Sequence, residues 1–334
     1  MKGKTVRVSI VIPAYNTGLV LSDAIRSIFA AGLIDYEVII IDDGSVDNTA
    51  AVADDLCRSC SNVVCIHQNN RGVSAARNVG IRIARGEYIW FFDADDSVDP
   101  GAIALCNQIL KDTDPDVLMF GMSFDYYFRG KLYRREYLRS EIEGCYNRDD
   151  WVTLRQSLFN CNYLSPAWNK LFRRDIILKY DIMFSEKMHL MEDFDFTVRY
   201  MEHAETIYIC PEVIYRYKLI EDEKKAAKRL KTVQSLVDYM SLFPELSEGW
   251  QPIMASVYYM LLHQKVRCSG IRELASVAED HSRSPYLPQN ERDQYLNRVL
   301  KEKRFIEIYL RSAVSRIKHR VAVIVKCYRA HKHK

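Results

Sequence analysis

Three of the acidic clusters in this chain carry the chemistry: Asp42-Asp43, Asp93-Ala94-Asp95-Asp96 and Glu192-Asp193. The first two clusters directly follow apolar runs, "EVIII" and "YIWFF", with the make-up of buried strands. Carboxylates crowded at strand tips repel one another unless a cation or a donor-rich ligand joins them. An oxygen-only ligand set suits Mg²⁺ or Mn²⁺ and not a soft metal. Such ions bridge a few carboxylates to phosphates, so these residue types point to a metal–diphosphate ligand. Each piece also has a plainer reading. "DDGS" reads as a turn, and "SVDP" as a helix N-cap with Pro100 in the first turn, the only role expected of Asp99. "EDFDF" alone reads as an acid-rich helix N-terminus.

The elements that must position these residues alternate in period. "RVSIVIP", "YEVIIIDDGS", "NVVCIHQ", "EYIWFFD" and "DVLMFG" read as strands. "LSDAIRSIFAAG", "DNTAAVADDLC", "SAARNVGIRIARG" and "DPGAIALCNQIL" read as the helices between them. That alternation predicts an α/β fold whose mostly parallel sheet is covered on both faces. Ligands of such sheets bind beyond the carboxyl ends of the strands, where the acidic tips lie. "FDYYFRGKLYRREY" reads as a hairpin turning at Arg129-Gly130. Helices follow near 149–159, 174–180 and 192–203, and "TIYICPEVIYRYK" reads as two short strands split by Pro211. Beyond Glu221 the pattern is helical to Gly270 and again from Asn290. The expected division is 1–220, a catalytic domain, and 221–334, a helical region with a basic amphipathic end.

Net charge is only +3 over 334 residues, but it is unevenly spread. Residues 300–334 hold 11 Lys or Arg and 2 Asp or Glu, a net of +9, which leaves the other 299 residues at −6. The basic end is compatible with contact to an anionic membrane surface, with a partner interface and with a simple helical cap. The nine cysteines show no pairing logic and read as thiols of a reducing compartment. No apolar run approaches the ~20 residues of a spanning helix, and the N-terminal run lacks a signal-peptide pattern. The expectation is a cytoplasmic protein, peripheral at most at the inner face of the cell membrane. A net-acidic body with its aromatics in strands argues against a nucleic-acid partner. A dinucleotide-binding dehydrogenase needs G-x-G-x-x-G after the first strand, where this chain has Pro13-Ala14-Tyr15-Asn16-Thr17-Gly18.

In order and spacing, "VSIVIPAYN", "EVIIIDDGSVDNT", "NNRGVSAARNVGIRIARGEYIWFFDADD", "AWNKLFRRDII" and "MEDFDF" resemble the family 2 inverting glycosyltransferases. The match is strong over Val8 to Ser97 and good to about Tyr217. The resemblance implies the GT-A fold, a Rossmann-like mixed, mostly parallel sheet flanked by helices. It implies donor-base contacts from Pro13, Tyr15 and Asp43 and a donor contact from Asn16, with Arg77 and Asn78 near the donor. The family's DxD matches Asp93-Ala94-Asp95. That implies Asp95 as ligand of Mn²⁺ or Mg²⁺ and Asp93 as a contact to donor sugar or ribose. The family's "ED" pair matches Glu192-Asp193, which implies Asp193 as the base and Glu192 as its orienter or an acceptor contact. Trp168 and Lys170 match a "W-x-K" element. The implied roles are an acceptor-site wall for Trp168 and a phosphate contact for Lys170, with packing as the plainer reading of both.

The implied function is transfer of a hexose or N-acetylhexosamine from a nucleotide diphosphate sugar, a UDP-sugar first, to a hydroxyl of a glycan acceptor. A lipid-linked acceptor and a place in cell-surface polysaccharide synthesis fit that reading. The alternative is a non-catalytic nucleotide-sugar-binding or scaffold protein of the same fold. Loss of the DxD or the ED pair would favour it, and both are present.

Overall fold

Runs of β-branched residues bounded by turn formers become the parallel half of one sheet. The computed structural model describes residues 6–32, 35–128, 131–161, 163–220, 238, 240–243, 251–268, 274–286, 288 and 291–302. In chain order the elements begin β1 (Val8–Ala14), α1 (Leu21–Ala30), β2 (Tyr36–Asp42), α2 (Thr49–Ser59), β3 (Val63–His67), α3 (Val73–Ile83) and β4 (Tyr88–Phe91). They continue with β5 (Ser97–Val98), α4 (Ala102–Thr113), β6 (Val117–Phe128), β7 (Lys131–Leu138), β8 (Gly144–Asn147) and α5 (Arg148–Asn160). Then come β9 (Lys170–Arg173), α6 (Arg174–Lys179), α7 (Glu192–Met201) and β10 (Thr206–Ile220).

The sheet runs β3-β2-β1-β4-β9-β6-β10-β5, with β7 on β6 and β8 on β10. β3, β2, β1 and β4 are parallel neighbours, and the pairing of Ala14 with Asp42 and of Val11 with Phe91 brings three strand tips to one edge. β1 and β2 are buried along nearly their whole length, as a sheet covered on both faces requires. β9 is wedged antiparallel between β4 and β6, so the expected fifth strand is not a neighbour of the fourth. This mixed sheet flanked by helices is the expected fold class. α3 lies unusually close to β1: a Cβ on Gly80 would stand 2.2 Å from Val11 Cγ1. Only glycine allows that approach, which sets the height of Arg77 one turn earlier on the helix.

Three expectations need correction. Pro211 does not split a strand, because β10 runs unbroken through it. On one edge β10 pairs β8 over Thr206 to Ile209 and β5 at Tyr215 and Arg216, so Pro211 falls between the partners and forfeits no ladder bond there. Asp99 is not a helix N-cap. Residues 97–98 pair with β10, α4 starts only at Ala102, and Asp99 instead holds Gly101 N–H and the Arg216 guanidinium. Between Gly270 and Asn290 a further short helix, Leu274–Ser282, is present where none was expected.

The chain divides into two compact units, Met1–Tyr126 with Arg134–Leu219, and Tyr127–Tyr133 with Ile220–Lys334. The second contains α8 (Gln251–Cys268), α9 (Leu274–Ser282) and α10 (Glu291–Lys301). Its helices bury Ile253, Val257, Leu274 and Val299 around a polar string in which His281 joins Tyr258 OH at 2.8 Å to Asn297 Oδ1 at 3.0 Å. Among the described residues, no helix is long and apolar enough to cross a membrane. Most of the basic end at 300–334 lies outside the described residues.

Candidate active site

Arg77 stands at the centre of the acidic edge. It projects from α3 and is 4 % exposed. Its Nη1 donates to Asp193 Oδ1 at 2.5 Å and its Nη2 to Asp93 Oδ1 at 3.1 Å. Burial works against the guanidinium charge, but Asp193, Asp93 and Glu192 overrule it and raise its pKa further. The guanidinium lies over the Phe184 ring, 5.1 Å from its centroid. One buried cation therefore joins the acid after β4 to Asp193 in the first turn of α7.

The β4 tip separates its carboxylates by environment. Asp93 is pushed up to about 6 by burial, against the pull of Arg77 and with the repulsion of Asp193 and Asp95. Asp96 is fully buried, where Tyr215 OH donates to its Oδ2 at 2.7 Å and Lys218 N–H to its Oδ1 at 2.7 Å. Burial holds its carboxyl well above the usual range, with Asp93 and Asp95 adding to the effect. Tyr215 OH also accepts the Asp93 N–H at 3.1 Å, so Tyr215 fixes the whole turn. Asp95 is exposed and has no hydrogen bond or ion pair among the described residues. A free, hard oxygen donor beside a crowded one fits a Mg²⁺-like ion.

Asp193 is the second residue of α7, entered through Met191 in the left-handed conformation at φ 61°. Its Oδ2 accepts the Ala167 N–H at 3.3 Å, and the side chain keeps 20 % exposure. A carboxylate has about four lone-pair positions, so capacity remains beyond Arg77 and Ala167. The approach to α7 is tied down by α3 as well. Asn78 Oδ1 accepts the Phe184 N–H at 2.8 Å and its Nδ2 donates to the Phe184 carbonyl at 2.9 Å. Arg71 pairs with Glu186 at 2.9 Å.

On the other side of the edge, Asn16 sits at φ 53° and locks the first tip to the second. Its N–H donates to Ser45 Oγ at 3.0 Å, and its Oδ1 accepts the Val46 N–H at 2.9 Å. Tyr15 is 47 % exposed, and Pro13 is half-buried in β1. Asp43 is 3 % exposed and mostly engaged: its oxygens accept Gln68 Nε2, Arg71 N–H and Gly72 N–H. It shapes the loop into α3 and keeps one lone-pair position at most for a base N–H.

Lys170, open in the sequence to a phosphate contact or to packing, has the geometry of packing. It is fully buried, and Nζ donates to the Tyr163 and Pro166 carbonyls and to Asn169 Oδ1 at 2.5 to 2.6 Å. An ammonium has three donors, so none is left for a ligand. Burial pulls its pKa well below the usual lysine range, partly opposed by Asp193. Trp168 is 6 % exposed and stacks on Tyr215 and Tyr217 at 4.4 and 5.1 Å, with Phe124 edge-on. The sequence reading missed Tyr215, although the alternation in "VIYRYK" puts Tyr215 and Tyr217 on one face. Glu192 is half-buried beside the Arg77 charge.

A mixed sheet with acidic tips at one edge defines the GT-A class of fold. The family model described as glycosyl transferase family 2 matches residues 9–180. The chain belongs to that family. It is 27 % identical over 213 residues to the uncharacterized glycosyltransferase EpsJ of Bacillus subtilis, covering 63 % of this chain and 60 % of that one. It is also 27 % identical over 288 residues to the uncharacterized glycosyltransferase YibD of Escherichia coli, covering 84 % and 82 %. In fold it is similar to the 1–349 fragment of S. aureus TarS in complex with UDP-GlcNAc. That match has a TM-score of 0.58 and 16 % identity, over 94 % of this chain and 92 % of that one. The mannosyltransferase PcManGT of Pyrobaculum calidifontis, in complex with GDP-Man and Mn²⁺, matches at a TM-score of 0.52 and 14 % identity, over 93 % and 87 %.

Proposed function

We propose that the chain is an inverting glycosyltransferase that moves a hexose or N-acetylhexosamine from a UDP-sugar to a hydroxyl of a glycan acceptor. The observation that carries this reading is the shared guanidinium: Arg77 holds Asp93 and Asp193 in one ion-pair triad. Residues 1–220 are taken as the catalytic domain and 221–334 as a helical region. The likeness to a TarS fragment seen with UDP-GlcNAc favours a uridine donor. The glycosyltransferase names of the relatives favour sugar transfer, and a role in cell-surface polysaccharide synthesis fits the same reading. A lipid-linked acceptor reached from the inner membrane face, through the basic end at 300–334, fits the same reading.

Tyr15 stacks on the base, and Asn16 and Asp43 hold the loops that frame it. Asp93 takes a donor sugar or ribose hydroxyl. Asp95, with Asp93 beside it, would hold Mn²⁺ or Mg²⁺, which when bound neutralises charge on the departing diphosphate. Asp193 accepts the proton of the acceptor hydroxyl as its oxygen attacks the anomeric carbon from the face opposite the diphosphate. The carbon–oxygen bond to the diphosphate breaks with its electron pair leaving on the phosphate oxygen. Arg77 keeps the base aimed, and Glu192 adds to the negative field around it. Trp168 and Tyr217 wall the acceptor side.

The test is calorimetry of the purified chain with a panel of UDP- and GDP-sugars, with and without Mn²⁺ or Mg²⁺. The expected result is metal-dependent binding of at least one UDP-sugar, followed by release of UDP when an acceptor is supplied. Failure of every nucleotide sugar to bind, with or without metal, overturns the reading.

A further inference from the structure

We propose that Asp54, Cys65 and His67 form a second metal site, for a borderline-soft divalent ion of the zinc class. The site lies between the edge strand β3 and the helix α2 that packs against it. Cys65 and His67 are two residues apart on β3 and so face the same side. Asp54 comes from α2. Cys65 Sγ lies 3.6 Å from His67 Nε2, and that nitrogen lies 3.1 Å from Asp54 Oδ1. All three ligand atoms fall within 4.8 Å of one another. In tetrahedral zinc the bond lengths give a sulfur–nitrogen edge of roughly 3.5 Å and a nitrogen–oxygen edge of roughly 3.3 Å. The side chains already stand near those separations.

The imidazole is also oriented as a metal ligand would be. Asp42, 3 % exposed, holds His67 Nδ1 at 2.9 Å, while its other oxygen accepts the Ser45 N–H. A carboxylate behind one ring nitrogen turns the lone pair of the other outward. That lone pair then faces a carboxylate oxygen and a sulfur, an arrangement that a cation would satisfy. A proton on Nε2 satisfies the Asp54 contact and leaves the sulfur out. A divalent ion engages all three.

Sulfur, nitrogen and oxygen donors select zinc-like ions over Mg²⁺ or Ca²⁺, so the site differs in kind from the oxygen-only edge at Asp93 and Asp95. Burial, with Asp54 and Asp42, pushes the Cys65 thiol up to about 12 in the absence of an ion. A bound dication reverses that balance: the thiol proton leaves to solvent and the sulfur binds as thiolate. His67 and Asp54 are 44 % and 49 % exposed, which leaves the fourth position to water. The ion would clip α2 to β3. Through Asp42, Ser45 and Asn16 the clip continues into the loops under the proposed donor base. The inference does not depend on the transferase reading.

The test is titration of the metal-free full chain with Co²⁺, followed by the thiolate-to-cobalt charge-transfer absorption, then displacement with Zn²⁺. One band-producing cobalt per chain is expected, with a charge-transfer band that Zn²⁺ removes. Cys65→Ser should abolish the band. His67→Gln and Asp54→Asn should weaken binding by about tenfold or more. Asp95→Asn should leave the band unchanged, and circular dichroism should show each variant folded. Absence of the band in the wild-type chain overturns the proposal. So does a band that survives Cys65→Ser or disappears in Asp95→Asn.

Discussion

Arg77 and Asp193 lie 116 positions apart in the chain and 2.5 Å apart in the structure. The same guanidinium reaches Asp93 at 3.1 Å. The residue proposed to touch the donor and the residue proposed to take the acceptor proton therefore share one buried counter-ion. Their spacing is set by a rigid helix, which Gly80 lets down onto β1.

Arg77→Lys should expose this dependence. Lysine keeps one charge but loses the planar fork that reaches two carboxylates at once. Turnover should fall by roughly 10²-fold, because the base is no longer held in line. Binding of UDP alone should change only a few-fold. Arg77→Met should cost about 3–5 kcal/mol in urea unfolding, since it strands two carboxylates without their partner. An Arg77→Lys variant with wild-type turnover would show that the shared cation is not needed.

Asp193 and Asp95 should separate cleanly. Asp193→Asn removes the proton acceptor and leaves the donor side intact. Transfer should drop by roughly 10²–10⁴-fold with donor affinity nearly unchanged. Asp95→Asn should instead raise the donor dissociation constant measured with Mn²⁺ and have little effect without metal. If Asp193→Asn retains near-normal transfer, the base lies elsewhere.

The parallel half of the sheet and its acidic tips were legible because period and turn chemistry are local. "EVIIIDD" and "YIWFFDADD" carry both the strand and its end. The insertion of β9 between β4 and β6 was not legible, since strand order depends on pairings far apart in the chain. The same holds for Tyr215, whose hydroxyl fixes a turn 119 positions away at Asp96. Pro211 misled because a proline breaks a strand only where its missing N–H is needed. Lys170 stayed open between a phosphate contact and packing for a related reason: sequence motifs do not say which way a long side chain points.

Lys170→Met tests that last point. The substitution keeps the volume and removes three donated hydrogen bonds. It leaves the Tyr163 and Pro166 carbonyls and Asn169 Oδ1 without this donor. Stability should fall by about 3 kcal/mol in urea unfolding. The donor dissociation constant of the folded fraction should stay within about twofold of wild type, because a group that never meets the ligand adds almost nothing to its binding free energy. A large loss of donor affinity with unchanged stability would return Lys170 to the phosphates.

Glu37 gives a prediction about pH that is independent of the active site. It is 2 % exposed, and its Oε1 accepts Ser9 Oγ at 2.6 Å and Arg85 N–H at 2.8 Å. Its Oε2 takes the Arg85 guanidinium at 2.6 Å. Burial pushes this carboxyl up, but the hydrogen bonds from Ser9 and Arg85 prevail and hold it below its ordinary 4.5. As pH falls, the unfolded chain therefore takes up this proton first. The carboxylate's stabilisation is complete above about pH 4.5 and is lost as pH drops through the folded value. Glu37→Gln keeps the shape, loses the charge and turns an amide donor toward Arg85. At about pH 7 it should cost about 1–3 kcal/mol, the lower end favoured because the Arg85 side chain is largely exposed. The difference between wild type and variant should shrink as unfolding is repeated toward about pH 3.5. A gap that stays constant over that range would mean the carboxylate charge contributes nothing, and that only the side chain's shape matters at the base of the sheet.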